Sequence, residues 1–171
     1  KIGESVGFIS ANVHSPVNGT IKEIKPVMLA NSVQCDAYVI TVDEEQPELS
    51  TEVVDWKDLP KEELLSFVKE RGIVGLGGAT FPAHVKFAIP RDKRVEYFVV
   101  NGVECEPYLT SDYRLMMEKG KEALEGALIA AKIIDAQKII VGVELNKKDA
   151  IAHLKEVVAQ EGWPIEIVGL K

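Results

Sequence analysis

Between residues 95 and 168, short apolar runs alternate with longer amphipathic segments, and this alternation narrows the architectures open to the chain. Residues 95–100, 138–143 and 164–168 each have the length of a strand and are rich in β-branched or aromatic side chains. Between the first two runs, Leu124, Ala127, Leu128, Ala131 and Ile134 recur at helical spacing. Between the last two, Ile151, Leu154, Val157 and Val158 do the same within 147–160. A strand, helix, strand, helix, strand order predicts a right-handed parallel sheet with Tyr97, Phe98 and the helix stripes in its core. A shorter helical segment through Arg114, Leu115, Met116 and Met117 is expected to start at a Thr110 or Ser111 cap, and Gly120 separates it from the long helix. Asp112 and Arg114 either steady this segment or form surface salt bridges.

Open parallel sheets bind ligands outside the carboxyl ends of their strands. The first strand runs into Asn101-Gly102-Val103-Glu104-Cys105-Glu106-Pro107-Tyr108, so an amide and two carboxylates emerge where a cofactor would be read. A solvated turn is the plainer reading of Glu104 and Glu106; neither carboxylate tolerates burial without partners. Upstream, Gly75-Leu76-Gly77-Gly78-Ala79-Thr80-Phe81-Pro82-Ala83-His84-Val85-Lys86 concentrates glycines and ends in a cation. Such backbone can turn successive N–H groups toward an anion, or simply form a tight turn after a helix. The spacing matches neither the dinucleotide fingerprint nor the Walker A loop. A helix announced by Asp58 and Pro60, carrying Leu64, Leu65, Phe67 and Val68 and ended by Gly72, leads into it.

The first fifty residues are punctuated by Gly3, Gly7, Pro16, Asn18-Gly19, Pro26 and Asn31 and read as a small β module. Strands are predicted over 6–9, 20–24 and 37–42, with a hairpin turn at Asn18-Gly19. A polar linker over 43–48 follows. Cys35 and Cys105 lie far apart, outside any Cys-x-x-Cys pattern, which argues against a disulfide or a self-contained iron–sulfur site. In a chain of 171 residues, a formal charge of −7 and short apolar runs point away from a nucleic-acid surface and from direct membrane insertion.

Phe8-Ile9-Ser10, the run from His14 to Thr20, Gly72 to Lys86, Asn101 to Met117 and Gly142-Val143-Glu144-Leu145-Asn146-Lys147 stand together in one order. In these segments the chain resembles the C subunit of the Rnf electron-transport complex and, more distantly, the NADH-binding FMN subunit of respiratory complex I. The resemblance implies an α/β fold: a complex-I-flavoprotein-like parallel-sheet domain over 51–171, as the N-terminal part of an FMN/NADH-binding domain, preceded by a β-rich barrel-sandwich-like module over 1–50. It implies that Gly75, Gly77, Gly78 and Lys86 surround the phosphate and ribityl chain of FMN, and that Asn101 meets the flavin edge. Glu104 and Glu106 match acidic residues near flavin and nicotinamide. Glu144 is a third candidate on the nicotinamide side or a strand-end carboxylate; Phe81 stacks on a ring or packs on the following helix. No catalytic nucleophile and no metal ligand is expected in this chain.

The reaction implied for the full-length protein is NADH:acceptor electron transfer through FMN to iron–sulfur centres, with the 4Fe-4S clusters outside this chain. The partners implied are NADH, other Rnf or redox-complex subunits and, indirectly, a ferredoxin-like carrier, on the cytoplasmic face of the cell membrane. His14 to Ile21 also resembles the opening of biotinyl and lipoyl carriers, yet no Met-Lys-Met hairpin follows, so a structural module with a structural or turn role for His14 is expected. The chain stops before a further cofactor loop of the family, which predicts weak or no FMN binding by this piece alone. Two other readings stay open: a soluble relative serving cobalamin or amino-acid reductases, and a noncatalytic docking domain.

Overall fold

The computed structural model describes residues 1–47, 54–76, 79–104 and 106–171. Along the chain come β1 (Gly19–Met28), β2 (Gln34–Val42), α1 (Lys61–Glu70), α2 (Ala83–Phe87), β3 (Tyr97–Gly102), α3 (Ser111–Glu118), α4 (Gly120–Ile134), β4 (Lys138–Glu144), α5 (Lys148–Glu161) and β5 (Ile165–Leu170). They form two modules, an antiparallel β1–β2 pair and a parallel sheet in the order β3-β4-β5.

The parallel sheet follows the predicted alternation. Its alternate residues Ile139, Val141 and Val143 on β4, with Ile165 and Ile167 on β5, meet Leu124, Ala127 and Ala131 of α4 and Leu154 of α5. Val143 is 0% and Leu154 1% exposed, so this is the driest part of the molecule. A second cluster joins Leu64 and Val68 of α1, Ala83 of α2 and Ile133 and Ile134 of α4, with Phe98 packed against both clusters. Tyr97 departs from expectation at 46% exposed. Period-2 alternation puts it with Val99 and Asn101 on the exposed face of β3, where Lys138 Nζ sits 5.2 Å from its ring centroid.

The β module keeps two of its three predicted strands, 20–24 within β1 and 37–42 within β2, but not the first. Residues 7–9 form bends, and the amino-terminal segment contributes only the isolated Gly3–Val13 bridge. The hairpin turn lies at 29–33, where Ser32 adopts φ 61° and Asn31 Oδ1 accepts the Val33 N–H. Asn and Ser tolerate and stabilise such a turn, so it needs no glycine. Asn18-Gly19 instead marks the open end of the hairpin, where the Asn18 carbonyl accepts the Asp43 N–H. Gly19 serves close strand approach: a Cβ there would come 2.2 Å from the Thr41 oxygen. Cys35 is a half-buried free thiol on β2, whereas Cys105 lies outside the described residues.

The start of the chain is joined to the end of α1. Asn12 is buried; its Oδ1 accepts the Ser5 N–H at 2.9 Å and its Nδ2 donates to the Glu70 carbonyl at 3.2 Å. His14 Nε2 lies 3.1 Å from the same carbonyl, the structural role expected of it. The helix closes in a Schellman arrangement, with Ile73 N–H to Val68 O and Gly72 N–H to Lys69 O. Gly72 has φ +66°, and a Cβ on it would lie 2.1 Å from the Asn12 oxygen. Both backbone conformation and space therefore demand glycine there.

Gly162, the αL cap of α5, supplies the control, having φ +65° with nothing within 4 Å of an added Cβ. Gly162→Ala should cost only the left-handed backbone term, about 1–2 kcal/mol. Gly72→Ala should cost clearly more, because the collision with Asn12 adds to the same term; denaturant unfolding of both variants measures the difference. A second prediction concerns α3 and α5, where Tyr113 Oη donates to Asp149 Oδ2 at 2.5 Å. That bond, helped by the Ala150 N–H, holds the Asp149 carboxyl below its ordinary value. A depressed carboxylate adds stability above its unfolded-state titration, and this is lost as pH falls through its folded-state titration. Tyr113→Phe should move the Asp149 titration upward by carboxyl NMR, and its stability deficit should close on acidification.

Candidate functional site

Parallel register places Asn101 opposite Gly142 and Gly102 opposite Val143, and Glu144 ends β4. Asn101, Glu104 and Glu144 thus emerge from the same end of two neighbouring strands. Asn101 Oδ1 accepts the Val103 N–H at 3.1 Å, which tightens the turn and leaves the amide nitrogen for other contacts. Glu144 is half-buried, and its carbonyl accepts the Lys147 N–H. Glu106 and Tyr108 are exposed; the Glu106 carbonyl accepts the Leu109 N–H, and Tyr108 takes φ 67°.

Glu104 is the buried member of the group. Its Oε1 accepts the Asp112 N–H in the first turn of α3 at 2.9 Å, and its Oε2 lies 3.6 Å from Lys147 Nζ. The two side chains are 3% and 21% exposed, so the pair is shielded from solvent. Among the described residues Oε2 has no hydrogen-bond partner, leaving the Lys147 ammonium to compensate its charge. Lys147 also sits 5.3 Å from the Tyr113 ring centroid. The cap expected from Thr110 or Ser111 is therefore supplied from outside the helix: Thr110 occupies the N-cap position without a side-chain cap bond, while Glu104 binds the free N–H. Arg114 pairs with Glu118 one turn on along the exposed side of α3.

Lys147 is the residue that the sequence reading passes over. It ends the Gly142–Lys147 motif, yet nothing near it in sequence identifies its partner. The pair forms because β3 and β4 are neighbours and their following loops meet.

The described residues on either side of the glycine-rich segment pair with each other between α1 and α2. An isolated bridge pairs Val74 with Pro82, Gly75 N–H donates to Phe81 O at 2.9 Å, and Ala83 N–H donates to Ile73 O. Gly77 and Gly78 lie outside the described residues. Lys86 reaches back from α2 so that a Cβ on Gly75 would come 2.5 Å from its Nζ. The absence of a side chain at Gly75 thus leaves room for an ammonium against the loop backbone. Ala83 and Phe87 pack with α1 and α4, Phe81 is half-buried, and His84 is buried, its Nδ1 without a hydrogen-bond partner among the described residues. No hydrogen bond or ion pair joins this loop to the strand-end cluster among the described residues.

The two groups offer complementary chemistry, a cation over glycine backbone in one and amide and carboxylate groups in the other. Among the described residues no helix is long and apolar enough to cross a membrane.

Residues 68–171 match the family model described as the Nuo51 FMN-binding domain, and residues 1–45 match the RnfC barrel sandwich hybrid domain. The chain is 43% identical over 171 residues to the C subunit of the proton-translocating ferredoxin:NAD(+) oxidoreductase complex of Clostridium ljungdahlii, covering 99% of this chain and 37% of that relative. It is 38% identical over 167 residues to the C subunit of the Na(+)-translocating ferredoxin:NAD(+) oxidoreductase complex of Acetobacterium woodii, covering 94% and 37%. The chain therefore spans little more than a third of the length of these relatives. A crystal structure of an NAD+-reducing NiFe hydrogenase in the air-oxidised state aligns with a TM-score of 0.51 at 25% identity, over 63% of this chain and 20% of the other. With its α/β module matched by one model and its β module by the other, the chain belongs to the Nuo51 FMN-binding domain family and is homologous to the C subunits of Rnf complexes.

Proposed function

We propose that in the complete protein this chain forms the FMN- and NADH-facing part of a subunit that passes electrons to iron–sulfur centres of an ion-coupled complex. Family membership supports the general electron-transfer role. The observation that carries the finer reading is the Lys86 ammonium held against Gly75, within the segment matched by an FMN-binding family. A cation beside glycine backbone suits a phosphate monoester, and the buried Glu104 Oε2, ion-paired with Lys147 but without a hydrogen bond among the described residues, leaves an acceptor near the strand ends. The residues present fit the cofactor. When bound, FMN supplies a group that accepts a hydride and releases electrons singly.

In this reading Lys86, Gly75, Gly77 and Gly78 bind the phosphate and ribityl chain, and the Asn101 amide donates to the flavin edge. Lys147 and the Asp112 N–H hold Glu104, which fixes the loop carrying Glu106. Glu106 and Glu144 orient the nicotinamide, while Phe81 shields a ring face from water. Residues 1–50 serve as a structural module and residues 51–171 as the N-terminal part of the cofactor domain. The partners are NADH, other subunits of the redox complex and, indirectly, a ferredoxin-like carrier, at the cytoplasmic face of the cell membrane. A docking role for the β module is a second reading, favoured by the exposed Ile21, Ile24, Met28 and Val42 on its hairpin.

Lys86→Met in the complete protein should weaken FMN affinity about tenfold or more, the range for losing a charge-assisted contact. Unchanged flavin occupancy and affinity would remove Lys86 from the phosphate site. Stopped-flow mixing of the complete protein with NADH should bleach the flavin absorbance. Flavin that stays oxidised with both NADH and NADPH would require a different electron donor.

A further inference from the structure

We propose that the amino-terminal end of the parallel sheet carries a docking site for an acidic protein segment that buries an apolar side chain. The site goes beyond the cofactor reading and does not rest on it. A cavity of about 880 Å³ opens between the start of α1, the connection from α2 to β3 and the end of α4. It touches Val95, just before β3, whereas Asn101 emerges at the other end of that strand. At ~3.3 Å per residue the two ends stand roughly 20 Å apart.

Charge sets the class of occupant. Among the described residues, Lys61, Arg91, Lys93 and Arg94 line the cavity against Glu62 and Asp135, in a chain whose formal charge is −7. Lys61 pairs loosely with Asp135 at 3.9 Å and Lys93 with its neighbour Asp92 at 3.8 Å, whereas Arg91 and Arg94 make no ion pair among the described residues. Both guanidinium groups are exposed and available to an anionic partner, and arginine is enriched where proteins dock.

Shape and apolar lining distinguish a protein segment from a compact anion. Leu65, Phe87 and Ile89 line the same cavity and are only partly buried, so one apolar side chain can be covered between the cations. Glu62, Asp135 and the carbonyl end of α4 face the same space and oppose concentrated phosphate charge. A peptide answers both, with spaced carboxylates for the arginines and amide donors for the acidic groups.

The test uses the complete protein and a fluorescein-labelled peptide of aspartate and glutamate around one central leucine, followed by anisotropy. A counterpart with serine in place of leucine, and tripolyphosphate as competitor, complete the set. The leucine peptide should bind about tenfold more tightly than the serine peptide, as one buried apolar anchor allows. Arg91→Glu/Arg94→Glu should weaken binding at least about tenfold, and the milder Arg91→Gln/Arg94→Gln should weaken it less, with flavin content and melting temperature unchanged. Lys86→Met should leave peptide binding intact, which separates this site from the proposed phosphate site. Failure of the leucine peptide to bind, equal affinity for both peptides, insensitivity to the arginine changes, or displacement by tripolyphosphate beyond that of chloride at equal ionic strength would each overturn the proposal.

Discussion

The strand-end site is organised around a carboxylate that has almost no access to water. Burying Glu104 is tolerable only if its charge is matched, and the structure matches it with a helix N–H on one oxygen and an ammonium near the other. Because those partners belong to α3 and to the loop after β4, one side chain fixes two loops against each other. The Tyr113 ring beneath Lys147 and the Tyr113–Asp149 bond extend the connection to α5. Removing either charge would leave the other stranded in a poorly hydrated place, so the pair is a positional constraint even if its net contribution to stability is small.

Sequence and structure agree where the determining interactions are local. The β/α alternation, the end of α1 at Gly72 and the apolar stripes of α4 and α5 rest on periodicity and backbone preferences that a short window contains. Disagreement arises where distant segments decide. Asn18-Gly19 resembles a hairpin turn, but its glycine answers the close approach of Thr41, and the turn falls at residues without glycine. Tyr97 has the composition of a core residue, yet the helices cover the other side of β3. The Glu104–Lys147 pair depends on strand adjacency and has no local signature. The motif resemblance identified its segment without revealing what its charges do.

The two ends of the sheet also differ in electrostatic character. At the carboxyl end, the buried Glu104 is met by Lys147, whereas at the amino end Lys61, Arg91, Lys93 and Arg94 outnumber Glu62 and Asp135 among the described residues lining the cavity. Net charge conceals this polarity, because a chain of −7 can still present a locally cationic surface.

The contact between Asn12 and Gly72 has a bearing on biosynthesis. The segment that completes the exit from α1 precedes that helix in the chain, so it has already left the ribosome when the glycine-rich loop is being made. The loop is therefore anchored by residues that precede every strand of the parallel sheet in the chain.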